Sequence, residues 1–111
     1  MARILVVEDD AIQLEMRKQI LEHAGYEVVA AQNVAEALER WTGCAVVVMD
    51  LRIPEPEDGL RLIQAIADAA RIIVLSGGEV DPALPVDEFL TKPCPSKKLL
   101  ASIERWTSES R

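Results

Sequence analysis

Six polar side chains directly follow short apolar runs of the sequence, and their types suit phosphate chemistry. They are Glu8, Asp9 and Asp10 after the first run, Asp50 after the third, Ser76 after the fourth and Lys92 after the fifth. Carboxylate oxygens are the ligands that Mg²⁺ prefers, and a carboxylate can act as a nucleophile toward a phosphoryl group. A hydroxyl and an ammonium group would hydrogen-bond and neutralise the transferring oxygens. If the fold brings these groups together, they predict phosphoryl transfer onto Asp50.

Short β-rich runs alternate with helical patterns along the chain, and this alternation decides where the six side chains lie. Strands are predicted over 4–7, 26–30, 45–49, 72–75 and 89–90, and helices over 11–24, 33–41, 60–70 and 96–106. The first helix carries an apolar stripe of Ile12, Met16 and Ile20. The pattern predicts an α/β fold, a doubly wound five-stranded parallel sheet with helices on both faces. Ligands of such sheets bind beyond the carboxyl ends of the strands, where the six side chains stand.

The composition fits one acidic domain. The chain has 111 residues, half of them hydrophobic, and a formal net charge of -7. That charge argues against nucleic acid and anionic membrane surfaces as partners, since their phosphates would repel the protein. Cys44 and Cys94 lack metal-site spacing and are predicted to be reduced thiols of a cytoplasmic protein. No signal peptide or membrane-spanning run is apparent in the sequence.

Each candidate residue also has a purely structural interpretation. Asp10, and with it Glu8 and Asp9, can be helix N-terminal acids that the helix dipole stabilises. Ser76 stands before two glycines and suits an ordinary turn. Lys92 alone would be a surface lysine, but Pro93 restricts the backbone before it and predicts a fixed junction that can be cis.

Four segments, in the right order over the whole chain, resemble the receiver domains of bacterial response regulators. These segments are residues 4–10 with the acidic pair, 47–54 with Asp50 and Pro54, 73–77 ending in Ser76-Gly77, and 89–93 with Lys92-Pro93. The resemblance implies a flavodoxin-like strand order of 2-1-3-4-5. It also implies one receiver domain over residues 1–111, and no output domain is expected to follow.

The resemblance implies a role for each matching residue. Asp50 would be the phosphoacceptor, and Mg²⁺ would be held by Asp50, the backbone carbonyl of Arg52 and the acidic pair Glu8 and Asp9, with Asp9 the more direct ligand. Lys92 would pair with the phosphoryl group, and its bond to Pro93 would be cis. Ser76 would follow the phosphoryl oxygens on activation. Phe89 would be the aromatic switch residue.

Three features depart from the family's pattern. Gly59 lies one residue later after the acceptor than usual, an insertion we expect to be harmless, and the connection over residues 69–71 is short. Only 15 residues separate Ser76 from Lys92, and they include Pro82 and Pro85. Proline disfavours a helix interior, so the helix that normally joins the fourth and fifth strands (the family's fourth helix) is predicted to be absent or reduced to a turn. The fourth and fifth strands would then expose an apolar patch, or else Leu84 and Val86 would fill the gap.

Three kinds of function are consistent with these residues. The first is a single-domain response regulator, phosphorylated on Asp50 by a histidine kinase or phosphotransfer protein with Mg²⁺. Its output would be protein–protein binding to an unknown target, or it would serve as a phosphate relay or sink. The second is a pseudo-receiver, a binding module that is not phosphorylated. The third is a small phosphohydrolase, which the lack of room for a substrate cap disfavours. The first interpretation makes the chain a phosphoacceptor rather than a conventional enzyme.

Overall fold

The computed structural model describes residues 2–53, 55–78 and 80–108, which form five parallel strands and four helices. The strands are β1 (Arg3–Val7), β2 (Glu27–Ala31), β3 (Val46–Asp50), β4 (Arg71–Ser76) and β5 (Glu88–Thr91), and the helices are α1 (Ala11–His23), α2 (Val34–Arg40), α3 (Pro56–Ile66) and α4 (Ser96–Ser108). The sheet order is β2-β1-β3-β4-β5. The predicted doubly wound sheet of order 2-1-3-4-5 is therefore confirmed. No helix of these residues is long and apolar enough to cross a membrane.

Two apolar layers cover the sheet, one on each face. Alternate residues of β1, β3 and β4 pack against α2 and α3 on one face and against α1 and α4 on the other. Leu62 and Ile63 of α3 and Ile103 of α4 are fully buried in these layers. Because both faces are covered, the strands read as continuous apolar runs in the sequence.

The apolar stripe of α1 predicts the helix but not the face that it buries. Leu14 and Leu21 are buried against the sheet, whereas Ile12 is 74% and Met16 58% exposed. The buried pair lies seven residues apart, which is two turns on the same side of the helix. Ile12 and Met16 of the sequence stripe therefore project away from the core, and Ile20 is only half-buried.

Helix α3 begins four residues earlier than predicted. Pro56 occupies its first turn, where a missing N–H costs nothing. The side chain of Asp58 accepts a hydrogen bond from the backbone N–H of Glu55 at 3.2 Å. A proline at the start of a helix is favourable, so Pro56 begins the helix where the pattern predicts an irregular segment up to residue 59.

The connection between β4 and β5 contains no helix over its described residues, 77–78 and 80–87, as the two prolines predicted. Val86 and Phe89 instead pack against the core layer on the α3 side. The side chain of Asp87 accepts hydrogen bonds from the Ile72 N–H at 2.7 Å and from Arg71 at 2.9 Å. Ile72 is completely buried, Leu84 is half-buried, and no large apolar side chain is exposed among residues 77–78 and 80–87.

Candidate functional site

Asp50 is the last residue of the central strand β3, and the parallel register brings other polar residues to its level. Val7 of β1 pairs with Met49, so Glu8 follows on the strand beside Asp50. Asp50 itself pairs with Leu75 of β4, and Ser76 comes next. The N–H of Lys92 donates to the Ser76 carbonyl at 2.8 Å. Four strand ends thus meet at one edge of the sheet, as the sequence predicted.

The carboxylate of Asp50 is held on both oxygens. Its Oδ1 accepts from the backbone N–H of Arg52 at 3.1 Å, and its Oδ2 accepts from the Nζ of Lys92. The side chains are partly buried, 19% exposed for Asp50 and 29% for Lys92. The bond between Lys92 and Pro93 is cis, as the resemblance implied. A partly buried carboxylate can act as a nucleophile toward a phosphoryl group, and an ammonium group beside it can neutralise the charge of the transferring oxygens.

A cavity of about 610 Å³ opens over this ion pair. It is lined by Asp50, Leu51, Arg52, Pro56, Ser76, Gly77, Gly78 and Lys92. The Ser76 hydroxyl exchanges hydrogen bonds with the backbone of Gly78, at 3.2 Å to its carbonyl and 3.3 Å from its N–H. Added Cβ atoms at Gly77 or Gly78 would meet nothing within 4 Å. The hydroxyl therefore takes part in a turn, as the structural interpretation proposed, and also borders an open space large enough for a phosphoryl group.

The acidic residues after β1 do not form one open cluster with Asp50. Glu8 is only 3% exposed, and its Oε2 accepts from the guanidinium of Arg17 at 2.6 Å. Asp10 caps α1, accepting from the N–H groups of Ile12 and Gln13, which is its structural interpretation. Asp9 is exposed. The predicted convergence therefore holds for Asp50, Ser76 and Lys92, while Glu8 is turned toward α1.

Oxygen ligands for a divalent cation are nevertheless present at this edge. The structure describes no group of three His, Cys, Asp or Glu side chains that could hold a metal ion within residues 2–53, 55–78 and 80–108. Mg²⁺ usually takes only one or two carboxylates and keeps several waters. The exposed Asp9 carboxylate, the Asp50 carboxylate and the backbone of Arg52 beside the cavity are hard oxygen donors of that kind. The donor chemistry thus fits Mg²⁺.

Two other predicted features fall partly outside this site. Phe89 is half-buried on β5 and packs against the core layer on the α3 side. Pro54, the proline of the Asp50 segment, lies outside the described residues. Sequence reasoning did not anticipate Arg17, which forms the ion pair with Glu8 at this edge. Its only signal was a position two helical turns beyond the cap at Asp10, which turns its side chain back toward the end of β1.

The chain is similar to known proteins over almost its whole length. Residues 4–104 match the model of the response regulator receiver domain. The chemotaxis protein CheY of Bacillus subtilis (strain 168) is 32% identical over 115 residues, with 93% of this chain and 95% of that protein covered. The chain also spans about half the length of several longer regulators that it matches.

Two solved structures extend the likeness to the fold. A CheY-like receiver domain protein from Methanospirillum hungatei JF-1 aligns with a TM-score of 0.86 and 26% identity, over 98% of this chain and 95% of that one. The response regulator TrrA from Thermotoga maritima, in complex with Mg²⁺ and BeF, aligns with a TM-score of 0.84 and 28% identity, over 96% and 99%.

Proposed function

This chain belongs to the response regulator receiver domain family, and we propose on that basis that it accepts a phosphoryl group on the side chain of Asp50. The observation that carries the proposal is the ion pair between Asp50 and Lys92 at the floor of the cavity beside Ser76. Family membership alone would be compatible with a pseudo-receiver. The carboxylate of Asp50, the ammonium of Lys92 and the hydroxyl of Ser76 around one cavity favour a phosphorylated receiver over a pseudo-receiver.

The proposed reaction is a direct displacement at phosphorus. One oxygen of Asp50 forms a bond to phosphorus while the bond from phosphorus to the donor breaks, and the donor leaves with the electron pair. With a phosphohistidine donor the breaking bond is P–N, and the product is an acyl phosphate. Asp50 must be ionised to attack, and the hydrogen bond from the Arg52 N–H holds its carboxylate in one orientation.

Lys92 and Ser76 act on the charge of the transferring group. The ammonium of Lys92 already contacts Asp50 and is placed to pair with a phosphoryl oxygen once the acyl phosphate forms. The Ser76 hydroxyl would exchange its bonds with Gly78 for one to a phosphoryl oxygen. Phe89 is proposed as the switch residue, whose side chain would change position when Ser76 does.

The proposed cofactor is Mg²⁺, held by Asp9, Asp50 and the Arg52 carbonyl, with Glu8 acting beside them. When bound, it would neutralise negative charge on the phosphoryl oxygens. TrrA, which is similar in fold, has been solved with Mg²⁺ and BeF.

The proposed partners follow from the family. The phosphodonor is a sensor histidine kinase or a histidine phosphotransfer protein. The signal leaves by contact with a protein target, or the chain acts as a phosphate relay or sink, and residues 1–111 are proposed to act as a single receiver domain in the cytoplasm. The match to CheY of Bacillus subtilis, which covers 95% of that protein, supports the proposal that these residues act as one receiver domain.

The test is phosphorylation by a small donor, followed by intact-mass spectrometry. Acetyl phosphate with Mg²⁺ should add one phosphoryl mass to the wild-type chain, hydroxylamine should remove it, and Asp50→Asn should not be labelled. Asp68→Asn is the matched control, since Asp68 is an exposed aspartate at the opposite edge of the sheet and should be labelled like the wild type. Equal labelling of Asp50→Asn would refute the assignment.

The same experiment separates the two other functions. A folded wild-type chain that takes no phosphoryl group from acetyl phosphate or from a phosphorylated histidine phosphotransfer protein would be a pseudo-receiver. Repeated turnover of a free phosphoester such as p-nitrophenyl phosphate, far beyond one equivalent, would indicate a phosphohydrolase.

A further inference from the structure

Glu8 stands at the proposed metal edge, yet its carboxylate is engaged from both sides by the protein. Its Oε2 accepts from Arg17 Nη1 at 2.6 Å, and its Oε1 accepts from the Asp10 N–H at 3.2 Å. Arg17 is itself steadied by the side chain of Gln13, which accepts from Nη2 at 3.3 Å. The position of Glu8 beside Asp50 is fixed by the β1–β3 register, so this ion pair belongs to the same edge as the acceptor.

The pair is more than a surface contact. The Glu8 side chain is 4% exposed and that of Arg17 is 18% exposed. Exposed ion pairs contribute little because water screens them, whereas a dehydrated pair exerts its charge locally and leaves a costly bare charge when one partner is lost. The ion pair between Arg17 and Glu8 is therefore expected to persist, so that Arg17 neutralises the charge of Glu8.

The charge balance of the edge gives the consequence. The carboxylates of Glu8, Asp9 and Asp50 follow β1 and end β3, and the cations held in ion pairs with two of them are Arg17 and Lys92. A divalent cation entering here meets a net charge of about -1, where the edge without Arg17 would offer about -2. It also finds Glu8 already occupied.

We propose that Arg17 is a built-in counter-ion of Glu8 that weakens the binding of divalent cations at the Asp50 edge and so raises the Mg²⁺ concentration the domain needs. This rests on the proposed function, because it concerns the metal of the same site. The guanidinium and the metal compete for one carboxylate and repel each other. When the guanidinium and a divalent cation lie in the same site, their repulsion in a water-like dielectric raises the dissociation constant for Mg²⁺ by about fivefold to tenfold.

The experiment is calorimetric titration of the unphosphorylated chain with MgCl₂, with no phosphodonor present. Arg17→Gln keeps a hydrogen-bond donor for Glu8 but removes the charge, and it should bind Mg²⁺ about fivefold to tenfold more tightly than the wild type. Lys18→Gln is the matched control: it removes the same charge from the next residue, whose partner is Glu22 at 3.9 Å, and should change the affinity less than twofold. Arg17→Lys should restore an affinity near that of the wild type.

A second pair of variants tests whether Arg17 acts through Glu8. In a Glu8→Gln background the ion pair that holds Arg17 at this edge is lost, and only the repulsion between Arg17 and the metal remains. The Arg17→Gln substitution should therefore raise the affinity by a smaller factor there than in the wild-type background, and an equal gain in both backgrounds would overturn the inference. If Arg17→Gln does not fold without metal, Mg²⁺ should refold it, as circular dichroism would show; failure to refold would overturn the inference.

Unchanged or weaker binding by folded Arg17→Gln, an equal gain in Lys18→Gln, or no Mg²⁺ binding by any variant would also overturn the inference. The proposed function fails separately, if Asp50 takes no phosphoryl group in the mass measurement.

Discussion

Gly59 in α3 lies against the backbone that follows the proposed acceptor, and replacing it by alanine should test that packing. A Cβ added there would stand 2.0 Å from the carbonyl oxygen of Leu51 and 2.8 Å from its carbonyl carbon. The obstacle is backbone rather than a flexible side chain, so either the helix or the strand end must move. The position is buried, and no open space can absorb the methyl group.

The magnitude of Gly59→Ala follows from two opposing effects. Alanine is favoured over glycine inside a helix by about 1 kcal/mol. Overpacking a core typically costs about 1–3 kcal/mol and occasionally more, and a contact at 2.0 Å with backbone belongs at the upper end. We therefore expect a net loss of about 2 kcal/mol in the free energy of unfolding. Urea unfolding followed by tryptophan fluorescence measures it.

The control is Gly78→Ala, where an added Cβ meets nothing within 4 Å, and the free energy of unfolding should change by less than about 0.5 kcal/mol. Because Leu51 directly follows Asp50, its displacement should also slow phosphoryl addition by about tenfold or more at temperatures where the variant is folded. If Gly59→Ala proved as stable as the wild type, or more stable, the helix would not be held this close to the acceptor loop.

Two further predictions concern the anchoring carboxylate of Asp87 and the thiol of Cys94. Asp87→Ala should lower the free energy of unfolding by about 3 kcal/mol, since a mostly buried charged acceptor of the Ile72 N–H and of Arg71 is lost; a loss below about 1 kcal/mol in urea unfolding would contradict this. Burial raises the pKa of the Cys94 thiol, so less reactive thiolate is present at a given pH. In a Cys44→Ala background, iodoacetamide should alkylate folded Cys94 more slowly than the urea-unfolded chain near pH 8.5, and reach half its maximal rate at a higher pH; equal rates would argue against the shift.

The positions of the residues at the proposed acceptor site could be predicted from the sequence because they depend on the backbone. Asp50, Ser76 and Lys92 each follow an apolar run, and parallel strands in one sheet must end at the same edge. The alternation of strand and helix patterns is enough to fix this edge. No knowledge of side-chain conformations is needed to bring these three residues close together.

The contacts of the acidic residues depended on side-chain reach and on helix rotation, which the sequence pattern does not specify. Glu8 and Asp9 are adjacent in sequence, yet one is buried against Arg17 and the other is exposed. The rotation of α1 decides this, because it turns Leu14 and Leu21 inward and directs Arg17 back to the strand end. The stripe of Ile12 and Met16 suggested the wrong buried face because apolar residues occur on two sides of this helix.

In the connection before β5, the absence of a helix could be predicted from the sequence, but the path of the segment could not. Pro82 and Pro85 predict that no helix forms, since each removes an N–H donor and restricts the residue before it. Which residues then cover β4 depends on the path of the segment. Asp87 sets that path by accepting the Ile72 N–H at 2.7 Å, and this anchors the chain where Val86 packs against the core. A single carboxylate just before β5 thus anchors this segment to the start of β4, in the connection where the family normally places a whole helix. Only the folded structure reveals which carboxylate that is.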